Sequence, residues 1–229
     1  MPTSRRGFLG WLGTASLLGA VGTPSLLQAQ ARGASDGGPD GHALPMTEKW
    51  DMSWTSRVTG KYKAVFDSPE ASDGAALYRA VSWTEQYKEV YGVERSDLST
   101  VVVLRHLGFY FAMNDEFWDR HDVGKELKMR DKDGKKWAKV NPLGPTADGD
   151  EKNRKFGLAD FQKAGGIVLA CGWSFGGVAS QIAKKEKLDK DAARAKAKEQ
   201  LLPGMILQPN GVFAALRAQE AGCAYINAS

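Results

Sequence analysis

Cysteine and histidine are scarce in this sequence. Its 229 residues include two cysteines, Cys171 and Cys223, and three histidines, His42, His106 and His121. Neither cysteine belongs to a C-x-x-C motif, and the histidines are too scattered to form a local zinc-ligand cluster. We therefore expect no metal centre and no bound cofactor, and we assign no residue to either.

The sequence also lacks a strong excess of charge and a long apolar run. Its formal net charge is +4, and it falls to +2 without residues 1–31, which carry two arginines and no acids. Dedicated nucleic-acid-binding proteins instead show a clustered basic face. The apolar run at 11–21 is shorter than the roughly 20 residues that a membrane-spanning helix needs, and no later run reaches that length. The sequence thus predicts neither a nucleic-acid partner nor stable membrane insertion.

The N-terminus carries the pattern of an export signal. Arg5 and Arg6 form a twin-arginine motif that precedes the apolar run at 11–21 and a small-residue site at 29–31. These features in this order are typical of a removable signal peptide for the twin-arginine translocase. We therefore expect residues 1–31 to be a signal peptide and the protein to be periplasmic or secreted. Residues 32–47, rich in Gly, Asp and Pro, are expected to form a flexible linker.

Residues 48–229 alternate strand and helix patterns and are long enough for one domain with a substantial core. Helix patterns separate the apolar runs, and Ser72 and Gly92 are typical residues for the start and end of the first helix. The apolar runs predict strands near 62–66, 100–104, 166–170, 205–208 and 224–226. This order predicts an α/β fold, namely a three-layer sandwich with a mainly parallel sheet of about five strands and helices on both faces.

One segment, at about 125–155, interrupts the alternation. It is charged from 128 to 139 and rich in Pro, Gly and Asp from 141 to 150. We expect an inserted, exposed loop with a short hairpin around Asp133 and Gly134. A lid, an oligomer contact and plain decoration all remain open as its role.

Cys171 is the candidate nucleophile. It lies where the predicted strand at 166–170 meets a helix, and free N–H groups and the helix dipole favour a thiolate at such a junction. The carboxyl ends of strands are also where open parallel sheets bind ligands. His106 directly follows another predicted strand, and if the two strands are neighbours it shares a rim with Cys171. An imidazolium there would raise the thiolate fraction, although a hydrogen-bonded structural histidine remains the alternative.

Two further interpretations of this region compete with the first. The GWSFG motif at 172–176 fits a hydrolase nucleophile elbow with Ser174 as nucleophile. That fold places the histidine base after the serine, but every histidine here precedes it and 55 residues follow, too few for the remaining elements. A disulfide between Cys171 and Cys223 is the other alternative, because disulfides persist in oxidising compartments. It stays open at the sequence level.

The body of the chain resembles the DsrE-like family of small sulfur-handling proteins over about residues 60–226. The resemblance is carried by the order and spacing of VVVLRH at 101–106, the strand-to-Cys171 junction, LPG at 202–204 with GV at 211–212, and the ending RAQEAGCAYI at 217–226. It implies a compact α/β sandwich, homo- or hetero-oligomers, and a cysteine after the third strand that holds a persulfide. Cys171 is the position that matches this cysteine. The chain departs from the family in its export signal, the insertion at 125–155 and Cys223.

The sequence thus leads to an exported DsrE-like protein that handles sulfur or thiols, with Cys171 as persulfide or thiol-exchange nucleophile and His106 as its assistant. The expected partners are a small sulfur or thiol compound or a protein thiol, and a second copy of the chain in a homo-oligomer. The alternative is a non-catalytic ligand-binding or assembly module on the same fold. That alternative predicts a buried or disulfide-bonded Cys171 without enhanced reactivity.

Overall fold

Five parallel strands form one sheet in the computed structural model, which describes residues 50–145 and 156–229. The strands are β1 Tyr62–Ser68, β2 Leu98–Leu104, β3 Ile167–Cys171, β4 Ile206–Gln208 and β5 Ala224–Asn227. Their order across the sheet is β4-β3-β2-β1-β5, and each neighbouring pair is parallel. The predicted α/β class is confirmed. The predicted signal peptide and linker lie outside the described residues.

Helices fill the connections between the strands. The α-helices are α1 Ala75–Tyr91, α2 Asp115–Arg120, α3 Val123–Glu126, α4 Leu158–Lys163, α5 Gly172–Glu186, α6 Lys190–Glu199 and α7 Gly211–Glu220. Short 3-10 helices cover Ser53–Arg57, Ser72–Gly74, Arg95–Asp97 and His106–Ala112. Gly92 ends α1 in the left-handed conformation with a φ of 64°, as its position predicts. Ser72 starts a 3-10 turn instead of capping α1, because Asp73 and Gly74 have positive φ values and break the helix there.

Both faces of the sheet are covered. Ala64, Phe66 and Val102 point to one face, where they pack with buried side chains of α1, α2, α4, α5 and α6. Val65 and Val101 point to the other face, which is covered by α7 and by Trp54. We call these the α1 face and the α7 face. Burial on both faces explains why β2 is a continuous apolar run rather than an alternating one.

The direction of the connections changes at the β4 edge. From β1 to β4, each connection contributes helices to the α1 face and moves one strand toward that edge. The chain then returns through α7 on the opposite face to reach β5 beside β1. The connection after β3 therefore runs over the α1 face of the sheet, and the connection after the neighbouring β4 runs over the α7 face. This arrangement is a topological switch point, where open α/β sheets form a crevice outside the carboxyl ends of the strands.

The described part of the insertion is less exposed than the sequence suggests. Arg130 and Trp137 pair in an antiparallel bridge, with Gly134 at a φ of 68° in the turn, so the expected hairpin is present as a single bridge. The side chain of Asn141 is fully buried, and its Nδ2 donates to the carbonyls of Phe111 at 2.8 Å and Met113 at 2.7 Å. Met129, Ala138 and Leu143 are also buried. The expectation of a wholly exposed loop is wrong for these residues, because they complete the core beside α2.

Candidate functional site

The candidate site lies at the carboxyl edge of the sheet, at the switch point between β3 and β4. Cys171 ends β3 and pairs in register with Gln208, which ends β4. Helix α5 begins directly after Cys171 and α7 begins at Gly211, so two helix N-termini start near this edge on opposite faces. Helix N-termini carry partial positive charge and unpaired N–H groups. The location therefore suits an anionic group such as a thiolate.

Cys171 is the N-cap residue of α5. Its Sγ accepts the main-chain N–H of Ser174 over 3.5 Å, which is the capping contact that a serine or aspartate oxygen makes in other helices. The thiol is free, and the residue is 5% exposed. The position at a helix N-terminus is one that favours thiolates, whereas the burial limits access to the sulfur.

His106 reaches the same edge of the sheet, as the sequence predicts for neighbouring strands. Its main-chain N–H donates to Ser174 Oγ over 2.9 Å, and its φ of 51° is in the left-handed region that few residues other than glycine adopt. The imidazole is exposed and makes no hydrogen bond or ion pair within the described chain. Cys171 and His106 are therefore connected through Ser174 rather than by a direct contact between thiol and imidazole.

This geometry also bears on the serine-hydrolase alternative. Ser174 accepts a main-chain N–H from His106, and no imidazole in the described residues is hydrogen-bonded to its Oγ. A serine nucleophile needs a base within hydrogen-bond reach of its hydroxyl. Ser174 consequently links the first turn of α5 to the 3-10 helix that follows β2, and it lacks the partner that a hydrolase mechanism requires.

A second polar group at this edge was missed at the sequence level. Asp67, at the end of β1, is 1% exposed and accepts two hydrogen bonds of 2.9 Å, one from Nε and one from Nη2 of Arg105. Tyr225 Oη donates to the same carboxylate over 2.7 Å. These hydrogen bonds to Asp67 raise the pKa of both Arg105 and Tyr225. Two features of the sequence could have indicated this ion pair, namely an acidic residue at the end of one strand and an arginine directly after the next strand.

Arg105 also fixes the start of α7. A Cβ at Gly211 would lie 2.4 Å from Cδ and 2.5 Å from Cβ of Arg105, so only glycine lets the helix approach this closely. Asn210 caps the same helix by accepting the N–H of Phe213 over 2.8 Å. The ion pair of Asp67 and Arg105 thereby ties β1 and β2 to the beginning of α7.

The two cysteines are far apart. Cys171 packs with the α1-face cluster and Cys223 with the α7-face cluster. Cys171 ends β3 and Cys223 directly precedes β5. These two strands are three positions apart in the sheet, which corresponds to about 14 Å at the usual spacing. A disulfide requires Cα atoms within about 7 Å. Both thiols are free, so the disulfide alternative is excluded for this fold.

Cys223 is an unreactive thiol by its surroundings. It is 5% exposed, and burial raises its pKa to about 11. The nearby Lys63 ammonium acts in the opposite direction but has the smaller effect. At neutral pH this thiol is protonated, and it has the role of a small core residue.

The larger described cavity and the described metal-ligating side chains show no second group of reactive residues. A cavity of about 750 Å³ lies between the insertion and α4, and its described lining holds no cysteine, serine or histidine. Cys171 is not among the residues that line this cavity. Among residues 50–145 and 156–229, no group of three or more His, Cys, Asp or Glu side chains is placed to hold a metal ion. No helix in that part of the chain is long and apolar enough to cross a membrane.

Comparison with known proteins adds no relative. No protein-family model matches the chain, and no curated protein matches it. The resemblance to the DsrE-like family therefore depends on the motifs quoted above, and function has to be argued from the site.

Proposed function

We propose that this protein is a DsrE-like sulfur-handling protein in which Cys171 accepts sulfur or exchanges thiols. The observation that supports the proposal most directly is the place of Cys171, whose Sγ caps α5 at the switch point between β3 and β4. The capping N–H of Ser174 and the N-terminus of α5 stabilise negative charge on sulfur. His106 lies at the same rim, exposed to solvent, where it is placed to meet an incoming donor.

The proposed step is a sulfur transfer without net oxidation. The Cys171 thiolate attacks the outer sulfur of a persulfide donor, R–S–SH, and a new S–S bond forms as the S–S bond of the donor breaks. The electron pair leaves with R–S⁻, which takes up a proton to become a thiol. Cys171 then carries the persulfide, and no outside oxidant or reductant is needed. With a disulfide R–S–S–R in place of the persulfide, the same attack gives a mixed disulfide and one thiol.

The proposal includes the setting in which this chemistry takes place. The twin-arginine motif predicts export to the periplasm or the cell exterior. The partner there is a small sulfur compound that contains an S–S bond, or a protein thiol that carries its sulfur as a persulfide or disulfide. The resemblance to the DsrE-like family also leads us to expect a homo-oligomer. None of these steps requires a metal or an organic cofactor.

The test is the intact mass of the protein after incubation with glutathione persulfide. We expect the unchanged protein and the Cys223→Ser variant to gain about 32 Da for each sulfur atom accepted, and to lose it on mild reduction. The Cys171→Ser variant should gain nothing. The same gain in Cys171→Ser would place the acceptor elsewhere and overturn the assignment.

A second candidate is a non-catalytic ligand-binding or assembly module on the same fold. The 5% exposure of Cys171 is the observation that favours it, because a carrier has to offer its sulfur to a partner. The two candidates differ in thiol reactivity. In the second, iodoacetamide modifies Cys171 of the native protein no faster than Cys223 at pH 8. In the first, Cys171 reacts much faster.

A further inference from the structure

A cationic groove lies between α2, α3 and the turn that joins Arg130 to Trp137, and neither Cys171 nor His106 lines it. Its volume is about 370 Å³. We define the cationic groove by Lys125, Arg130, Lys135, Lys136 and Trp137, which all line it. It takes no part in the chemistry proposed for Cys171.

Most of the positive charge in the groove is not neutralised by the protein. Of the two acids in the lining, Asp119 pairs with Lys139 at 2.6 Å and Asp122 lies 3.8 Å from Lys185. Lys125, Arg130, Lys135 and Lys136 make no ion pair in the part of the chain that the structure describes. The turn itself contains two more acids, Asp131 and Asp133, which do not line the groove. Asp131 accepts the main-chain N–H groups of Lys135 and Lys136 and thereby closes the turn.

Arg130 is held in one orientation. Its guanidinium carbon lies 3.6 Å from the ring centroid of Trp137, and the two residues face each other across the antiparallel bridge. A guanidinium stacked on an indole keeps its edge N–H donors free, in a planar fork that matches two oxygens of a phosphate group. The stacking thus reduces the conformational entropy that the long arginine side chain would otherwise lose on binding a ligand.

We propose that the cationic groove binds a compact anion that carries two or more phosphate groups. Four cations that have no ion-pair partner among the described residues repel one another in a small groove, and an oxyanion removes that repulsion. The volume is in the range of small-molecule sites. Arg130 would take one phosphate group through its fork, while Lys125, Lys135 and Lys136 act as flexible point charges for the rest.

The experiment is calorimetric titration of the full exported chain with inorganic pyrophosphate, with ionic strength held constant. The test variant is Lys135→Gln/Lys136→Gln, whose two exposed side chains contribute nothing to the core. The matched control, Lys88→Gln/Lys198→Gln, removes the same charge from exposed positions outside the lining. We expect the control to bind like the unchanged protein and the test variant to bind at least about tenfold more weakly.

An Arg130→Lys variant separates the stacked fork from charge alone. It keeps the charge and loses the planar fork, so we expect weaker binding than in the unchanged protein at the same ionic strength. Equal affinity of the two double variants would overturn the proposal, and so would a failure of the unchanged protein to bind pyrophosphate. If the unchanged protein does not bind pyrophosphate but sediments with vesicles of anionic phospholipid, the groove binds a membrane surface instead.

Discussion

The main-chain N–H of His106 donates to Ser174 Oγ over 2.9 Å, across a sequence separation of 68 residues. This bond fastens the loop after β2 to the first turn of α5. Because the N–H of Ser174 in turn donates to Cys171 Sγ, one serine connects both residues predicted for the site. The G-x-S-x-G motif, which suggested a hydrolase, thus has a structural purpose at the rim.

We expect the Ser174→Ala variant to lose about 0.5–1.5 kcal/mol of unfolding free energy, since it removes one intramolecular hydrogen bond and the anchor of a left-handed residue. Urea denaturation measures this change. Ser180→Ala is the matched control, because Ser180 Oγ donates within α5 to the carbonyl of Gly176. An equal loss in both variants would mean that the link to His106 contributes no more than a hydrogen bond within one helix.

The raised pKa of Cys223 predicts a loss of stability in alkali. Burial raises this pKa from 9.0 to about 11, so the folded state holds the proton more tightly than the unfolded chain. The stabilisation is complete below the unfolded value and is lost as the pH rises through the folded value, an effect of at most about 3 kcal/mol.

Unfolding free energies measured in urea between pH 8 and pH 11 test the contribution of Cys223. The Cys223→Ala variant is expected to show a shallower decline with pH than the unchanged protein, whatever its stability at pH 8. Parallel curves for the two proteins would contradict the prediction.

The ion pair at the sheet edge predicts a large effect for Asp67→Asn. This change leaves Arg105 without its charged partner, and breaking a fully buried pair costs about 3–5 kcal/mol. Because the side chain of Arg105 is 28% exposed, we expect a smaller loss, about 2–3 kcal/mol. Asp119→Asn, which breaks the exposed pair with Lys139, should cost much less, because water screens that pair. Chemical denaturation measures the unfolding free energy of both variants. Similar losses in the two would contradict the prediction that the pair of Asp67 and Arg105 stabilises the fold more than an exposed ion pair does.

Two glycines should respond with opposite signs to the same change. Gly211→Ala places a methyl group against the Arg105 side chain, so we expect a loss of about 1–3 kcal/mol. Gly177 lies inside α5, and a Cβ there meets nothing within 4 Å. Gly177→Ala should therefore stabilise the protein by about 0.5–1 kcal/mol, because alanine favours the helix. Melting temperatures of the two variants give the signs, and a stabilised Gly211→Ala would show that α7 can move away from Arg105.

The predicted export route is tested at Arg5 and Arg6. Replacement of both by lysine should keep the full-length chain in the cytoplasm, since the twin-arginine route reads the pair itself. Arg32→Lys, just beyond the predicted signal, should leave export unchanged. Cell fractionation measures the export of both variants, and the mass of the exported form shows where its N-terminus lies. Normal export of the double variant would contradict the prediction.

The sequence by itself determined the elements of this fold. The run Val101-Val102-Val103 is apolar at every position, and only a strand covered on both faces buries all of it, which is what β2 does. The position of Cys171 could also be predicted from the sequence, because this residue lies between an apolar run and a helix pattern. These features depend on neighbours along the chain, and periodicity records such neighbours directly.

Tertiary structure decided which of these elements meet. Asp67 and Arg105 are 38 residues apart and Cys171 and Gln208 are paired only through the register of β3 and β4. The order β4-β3-β2-β1-β5 separates the two cysteines across the sheet, and their side chains pack on opposite faces. Asn141 is buried because two carbonyls beyond its own segment accept hydrogen bonds from its amide. Such contacts join residues that are distant in sequence, and their free energy depends on the packing of the whole sheet, so no local pattern along the chain encodes them.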